Sequence, residues 1–338
     1  MVLMVTAPII IRVAERAGVP IGAHLWAFIS FSWMGVLFLF ISGLFVFDLC
    51  SFISGSYFFI KKEKRKNYFS HKSTVILSAL VAVGIFIYGL FEASTLRVEH
   101  LLIKSDKISE QAERFRIAQI SDVHLGLLVR QRKLEKILSA VQKTEPDILV
   151  STGDLLDGQI NNLTDEAELF RRYQPSLGKY AILGNHEFYA GLQDSLQFLK
   201  KSGFTILRQK SQQVKNISIV GIDDQAAGYV GGSIPFSLQK LLAAQPTDTF
   251  TLLLKHRPDL IPENDGFFDL QLSGHTHKGQ IFPFNMVVWL FYPYHAGRLT
   301  KLAKGSIYTS RGTGTWGPPI RFLAPPEITI IDIVHGES

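Results

Sequence analysis

The sequence predicts an α/β domain preceded by transmembrane helices, and three observations predict it. The 338 residues are 47% hydrophobic and only 19% charged, with mean hydropathy +0.18, more apolar than an ordinary soluble enzyme of this length. The excess is localised: no Asp, Glu, Lys or Arg occurs from Ala17 to Phe47, nor from Ser73 to Phe91. From about Arg114 the character changes to short apolar runs alternating with amphipathic segments bounded by Gly, Pro and Asp, the rhythm of an α/β domain.

In chain order, Met1 to Ile11 is apolar but lacks the basic start of a secretory signal, and Arg12 interrupts it. It reads as a remnant span or an interfacial entry segment. Crossing a hydrocarbon core takes roughly 20 helical residues, so spans are expected at about 21–47 and 73–91, within a membrane region 1–95. The first span can continue through Leu49 to Ile60 with tilt or an interfacial turn. Between the spans, Lys61, Lys62, Lys64, Arg65, Lys66 and Lys72 against Glu63 hold most of the net charge of +6. A short basic loop between two spans reads as cytoplasmic under the positive-inside rule, and the rest of the chain is too near neutral to expect long nucleic acids as partners. The following domain is then expected outside the cytoplasm, with Arg12 and Arg16 arguing weakly the other way. Cys50 is the single cysteine, which excludes a disulfide framework and a thiolate zinc site.

Residues 96–113 read as a linker and 114–334 as one domain with a single sizeable core. Strands are expected at Phe115–Ser121, Ile148–Ser151, Tyr180–Leu183, Ile217–Ile222, Phe250–Leu254, Leu270–Ser273, Ser306–Thr309 and Ile328–Ile333. Leu134, Ile137, Leu138 and Val141 repeat at helical spacing between the first two, and Pro146 ends that helix.

Chemistry-bearing residues follow these runs: Asp122 and His124, then Asp154, then Asn185, His186 and Glu187, then His256, then His275 and His277. Strand carboxyl ends are where open α/β sheets place their ligand sites. Carboxylate, imidazole and amide oxygen without thiolate suit Mn, Fe or Zn, and the donors exceed what one tetrahedral ion needs. Two divalent ions fit, a pair able to activate water and clamp the oxygens of an in-line displacement at phosphorus.

Asp122-x-His124, Gly153-Asp154, Gly184-Asn185-His186-Glu187, His256 and Gly274-His275-Thr276-His277 resemble, in order and spacing, the calcineurin-like metallophosphoesterase signature. The resemblance covers about Arg114 to Asp332. It implies a four-layer β-sandwich flanked by helices, with Asp122, His124, Asp154 and His277 around one metal. Around the other it implies Asp154, Asn185, His256 and His275, with Asp154 bridging. His186 is implied to be the catalytic acid, and Glu187, where the family more often has Asp, is expected to orient it. Arg311-Gly312-Thr313-Gly314 and Pro326-Glu327 resemble the membrane-linked branch that includes UDP-2,3-diacylglucosamine pyrophosphatases.

Each motif alone has a bland reading: Gly-Asp is a common turn, and a solitary histidine such as His256 is usually a satisfied partial-core residue. Five in family order, each after a strand, outweigh it. Arg311 is read as a ligand of a substrate phosphate or as a surface ion-pair residue. Asp157 and Asp223 are read as turn residues or as partners of the site. The apolar stretch Ile281 to Tyr294 is a hairpin packed on the core, or a lip that receives acyl chains or dips into a bilayer. The function expected is hydrolysis of a phosphodiester or pyrophosphate in a lipid-linked substrate at the inner (cytoplasmic) membrane. A nuclease or cyclic-nucleotide phosphodiesterase, and a non-catalytic receptor for a phosphorylated ligand, are the alternatives.

Overall fold

The computed structural model describes residues 6–16, 20–62, 64, 70–110, 114–158, 162–230 and 236–336. Glu63, Arg65 and Lys66 of the basic loop, residues 1–5 and residues 111–113 lie outside the described residues, as do the side chains of Arg12 and Arg16. The chain divides into two units, Met1–Ser94 with Gly317–Phe322, and Thr95–Trp316 with Leu323–Ser338.

The first unit holds α1 (Ala7–Arg16), α2 (Pro20–Lys61) and α3 (His71–Ser94). Both α2 and α3 are long and apolar enough to cross a membrane. Pro20 opens α2, where its missing N–H costs nothing, and no later proline interrupts it. The helix therefore runs unbroken through the expected interfacial turn to Lys61, about 63 Å at 1.5 Å per residue, roughly twice a hydrocarbon core. Small residues let α2 approach α3: a Cβ on Gly43 would lie 3.3 Å from the Cβ of Ser78. The late segment Gly317–Phe322 also belongs to this unit. Arg321 donates its backbone N–H to the Gly89 carbonyl at 3.0 Å, and a Cβ on Gly89 would meet Ile320 at 2.9 Å.

The second unit contains β1 (Arg97–Ser105), β2 (Phe115–Ile120), α4 (Gln131–Gln142), β3 (Ile148–Ser151), α5 (Thr164–Arg172), β4 (Lys179–Ala181), α6 (Asn185–Ala190), α7 (Leu192–Lys201), β5 (Thr205–Ile206), β6 (Lys210–Val214), β7 (Ile217–Gly221), α8 (Leu238–Ala243), β8 (Phe250–Leu254), β9 (Leu270–Ser273), α9 (Phe284–Phe291), β10 (Arg298–Lys301), β11 (Ser306–Thr309) and β12 (Glu327–His335). They form two six-stranded sheets, ordered β1-β12-β2-β3-β4-β5 and β10-β11-β9-β8-β7-β6.

Side-chain alternation along the strands builds three apolar layers. Ile117, Ile148, Val150, Ile219, Leu252, Leu272 and Ile331 fill the space between the sheets. Ala118, Ile120 and Leu149 face the other way, onto Leu134, Ile137 and Val141 of α4, Phe170 of α5 and Leu199 of α7. Val220 and Leu253 pack on Leu238 and Leu242 of α8. The result is the expected sandwich of two sheets with helices outside.

The expected linker 96–113 is corrected. Residues 97–105 form β1, in parallel register with β12 from Arg97 opposite Glu327 to Ser105 opposite His335. Its exposure alternates along the strand, as an edge strand covering one face of a core requires. The residue types do not follow that alternation, with Glu99 on the half-covered side and Val98 and Leu102 exposed, so the sequence carried too little contrast to be read.

Candidate metal centre

The candidate ligands stand where strands end and the backbone turns sharply. Asp122, His124, Asp154, His275 and His277 all have positive φ, between +49° and +71°. Such conformations cost non-glycine residues of order 1–3 kcal/mol each and cluster at functional sites. Glycines let neighbouring backbone approach these carboxylates. A Cβ on Gly184 would lie 2.2 Å from Asp154 Oδ1, and one on Gly274 would lie 2.3 Å from Asp122 Oδ2.

Two groups of donors result. Asp122, His124 and His277 come together, with His124 Nε2 3.0 Å from His277 Nε2 and His277 Nε2 3.5 Å from Asp122 Oδ1. Asp154, His256 and His275 form the second group: His256 Nε2 is 3.1 Å from Asp154 Oδ2, 3.2 Å from Asn185 Oδ1 and 3.2 Å from His275 Nδ1. Asp154 also reaches the first group, its Oδ2 4.0 Å from His124 Nε2. The structure thus brings every sequence-derived candidate ligand into one cluster, with Asp154 between its halves.

The polarity of this cluster fits a cation. His256 Nδ1–H donates to the Thr152 carbonyl at 2.8 Å, which can only accept, so its Nε2 presents a lone pair. His275 Nε2 lies 2.9 Å from the Tyr292 hydroxyl, and in the tautomer whose Nε2–H donates there, Nδ1 offers the second lone pair. Carboxylate, carboxamide oxygen and two imidazole lone pairs then face one another with no donor between them, which is costly in a buried site unless a cation or proton intervenes. Burial opposes a charge on His256, but the Asp154 carboxylate outweighs it and pushes that imidazole up to about 10. Binding a metal would displace such a proton. Burial, with His186 nearby, lowers His124 to about 4, and burial with His256 and Arg257 lowers His275 to about 3, keeping both imidazoles neutral as ligands require.

His186 sits beside the first group, its ring 4.6 Å from that of His124. Its Nδ1 lies 3.1 Å from Asp157 Oδ1. Burial lowers the imidazole, and the Asp157 bond with the Asp154 charge outweighs that, leaving it raised. The expectation that Glu187 orients His186 is corrected. Glu187 is the third residue of α6 and reaches back to the Gly184 N–H at 2.8 Å, as in half of a capping box. It also accepts the backbone N–H groups of Asp154 and Leu156, both at 2.9 Å, so it holds two ligand-bearing loops together. Three backbone donors fix both oxygens of that carboxylate in place, and the carboxylate bonded to the His186 ring is Asp157 instead.

Arg311 is likewise placed elsewhere than expected for a phosphate ligand. Its Nε lies 2.6 Å from Glu327 Oε2, its Nη2 pairs with Glu99, and it is buried. Glu327 is further held by the Tyr308 hydroxyl at 2.8 Å. Of the two readings of Arg311, the ion pair is the one its surroundings match, an internal pair joining β1, β12 and the strap after β11. Asp223 pairs with Arg208 at 2.8 Å.

Two residues of the site were missed. Tyr292 supports His275 and also bonds Arg257, which is itself clamped on Asp224 at 2.7 Å. It lies just past the end of an apolar helix, and no local pattern announces it. Ser121 donates its hydroxyl to Asp122 Oδ2 at 2.6 Å.

A two-sheet α/β sandwich with carboxylates, imidazoles and a carboxamide converging at strand ends, and a carboxylate-backed histidine beside them, is the frame of a metal-dependent phosphoester hydrolase. Comparison with known proteins places it more closely. Residues 115–279 match the model of the calcineurin-like phosphoesterases. An uncharacterized metallophosphoesterase of Aquifex aeolicus is 38% identical over 256 residues, covering 75% of this chain and 97% of that protein. A zebrafish (Danio rerio) transmembrane protein with metallophosphoesterase domain is 32% identical over 327 residues, covering 91% of this chain and 74% of that one. An uncharacterized metallophosphoesterase of Helicobacter pylori is 30% identical over 335 residues, 92% of this chain and 90% of that one. The chain belongs to the calcineurin-like phosphoesterase family.

Proposed function

We propose that this chain hydrolyses a phosphodiester or pyrophosphate bond in a lipid-linked substrate of the kind exemplified by UDP-2,3-diacylglucosamine. The observation that carries the reading is the convergence of carboxylate, imidazole and carboxamide ligand atoms beside the His186–Asp157 pair, in a chain with two helices able to cross a membrane. In this reading Asp122, His124, Asp154 and His277 hold one divalent ion, and Asp154, Asn185, His256 and His275 a second. When bound, such ions supply Lewis-acid activation of water and neutralise phosphoryl charge, and the thiolate-free donor set favours Mn, Fe or Zn. His186, its Nδ1–H held by Asp157, donates a proton from its other nitrogen to the leaving oxygen. Asp157 stabilises the imidazolium before transfer and keeps the ring oriented.

A second reading is favoured by the exposed rings of Tyr189 and Trp316, 5.7 and 5.8 Å from the His186 ring. Aromatic walls of this kind suit a nucleobase, as in a nucleotide phosphodiester. Assays of the purified full chain in detergent with Mn, against UDP-diacylglucosamine, phospholipids and cyclic nucleotides, separate the two. Preference for the lipid-linked pyrophosphate supports the first reading, and preference for cyclic nucleotides overturns it. Metal binding without hydrolysis of any phosphoester, including an aryl phosphodiester, would identify a receptor instead.

The basic loop around Lys61 and Lys72 supports an extracytoplasmic catalytic domain in the inner membrane, since translocating each charge works against about 2.3 kcal/mol per 100 mV. A reporter active only outside the cytoplasm should work after Ser338 and fail within that loop. The reverse pattern would place the site on the cytoplasmic face.

A further inference from the structure

The helix α9 inverts the rule for helices of soluble domains. Its sequence is Phe284-Asn285-Met286-Val287-Val288-Trp289-Leu290-Phe291, and the single polar residue is the one that is buried. Asn285 packs inward against Gly279, where a Cβ would come within 2.4 Å of the Asn285 backbone. Met286, Val287, Trp289, Leu290 and Phe291 are turned outward, Leu290 with 83% and Phe291 with 74% of their surface exposed. In water an amphipathic helix does the opposite, burying its apolar stripe and showing its polar residues. An apolar face presented outward while the polar residue turns in is the arrangement that a hydrocarbon surroundings favours.

The flanks carry the marks of a bilayer interface. Trp289, Tyr292 and Tyr294 are of the two residue types enriched at the level of lipid headgroups. Between Asp269 and Glu327 the chain has no acidic residue, whereas Arg298, Lys301 and Lys304 follow the helix and are exposed. This charge balance matches anionic headgroups. A stable protein partner needs roughly 800 Å² of contact per side, and α9 is a helix of only 8 residues.

We propose that α9 is an interfacial segment whose outward face inserts into a lipid bilayer, with Arg298, Lys301 and Lys304 at the headgroups. The inference goes beyond the hydrolytic reading and holds whichever phosphoester is cleaved. It sets the metal cluster at the lipid surface, because α9 packs through Asn285 on Gly279 of the turn that carries His277 and ends at Tyr292, whose hydroxyl lies 2.9 Å from His275.

The test uses the full chain in nanodiscs of phosphatidylcholine and phosphatidylglycerol. Cys50, the single cysteine, is replaced by Ser, and an environment-sensitive fluorophore is attached to Leu290→Cys, to Phe291→Cys or, as control, to Lys240→Cys on the exposed side of α8. Nitroxides in the acyl chains should quench the labels at 290 and 291 severalfold more than the label at 240, and aqueous iodide should do the reverse. Iodide quenching at 290 and 291 equal to that at 240 would overturn the proposal. Protection from iodide without quenching by lipid nitroxides would also overturn it, by showing that protein, a second copy or a partner, covers the helix. Melting temperature and bound metal equal to those of the Cys50→Ser chain confirm that each labelled protein is folded.

Discussion

Asp157 Oδ1 lies 3.1 Å from His186 Nδ1, and this carboxylate, not that of the adjacent Glu187, orients the imidazole. Burial alone would raise the Asp157 carboxyl, but the His186 bond outweighs it and holds it low. His186→Ala should retain its metal content and lose about 10²–10⁴-fold in kcat, the range of general acid catalysis. Asp157→Asn should lose less, with the deficit largest for poor leaving groups that need protonation. Steady-state rates across an aryl phosphodiester series check this, and loss of metal from His186→Ala would instead make it a ligand.

Among the described residues, Asp154 is the carboxylate that lies near an imidazole of each half of the cluster, 3.1 Å from His256 Nε2 and 4.0 Å from His124 Nε2. Asp154→Ala should therefore lose metal stoichiometry and activity together. Elemental analysis of the purified variant decides, and two ions retained with activity intact would remove its bridging role.

Arg311 joins the buried Glu327 to the partly exposed Glu99. Removing one member of such a network leaves an uncompensated charge, so Arg311→Ala should destabilise the catalytic unit by about 3 kcal/mol. In whatever protein remains folded, KM should be unchanged. A raised KM at unaltered melting temperature would return Arg311 to the substrate.

Across the first sheet, Arg116 grips Asp332 through Nε–Oδ1 at 2.7 Å and Nη2–Oδ2 at 2.9 Å. The Arg116 hydrogen bond holds the Asp332 carboxyl below its ordinary 3.8, against a smaller effect of burial. A depressed carboxyl contributes stability that is present above its unfolded value and lost as pH falls through its folded one. Asp332→Asn should cost about 1 kcal/mol at neutral pH, and the deficit should shrink below pH 3.8 as the native carboxyl takes up its proton. Denaturant midpoints of both proteins across acid pH check the sign.

The hydrophobic spans, the principal strands and the candidate ligands were legible because each depends on local chemistry. An apolar helix of about 20 residues has few other uses, and Asp122, His124, Asp154, Asn185, His256, His275 and His277 each follow an apolar run. The strand β1 escaped because its residue types do not alternate: Glu99 lies on the half-covered side while Val98 and Leu102 are exposed. The length of α2 escaped because an apolar run does not state where a helix stops.

What the sequence by itself determined is the order of strands and ligands and the presence of two apolar helices, since periodicity and residue type carry both. Tertiary structure alone decided which carboxylate serves which histidine. Asp157 and Glu187 are both acidic and both near His186 in the fold, but α6 turns Glu187 back onto the N–H groups of Gly184, Asp154 and Leu156, while the loop after β3 delivers Asp157 to the ring. It also decided that Arg311 meets Glu99 and Glu327, that Tyr292 meets His275, and that Asn285 rather than its apolar neighbours turns inward. Such pairings join residues up to 212 positions apart, and a side chain's partner is set by the path of the backbone through space, which no local pattern encodes.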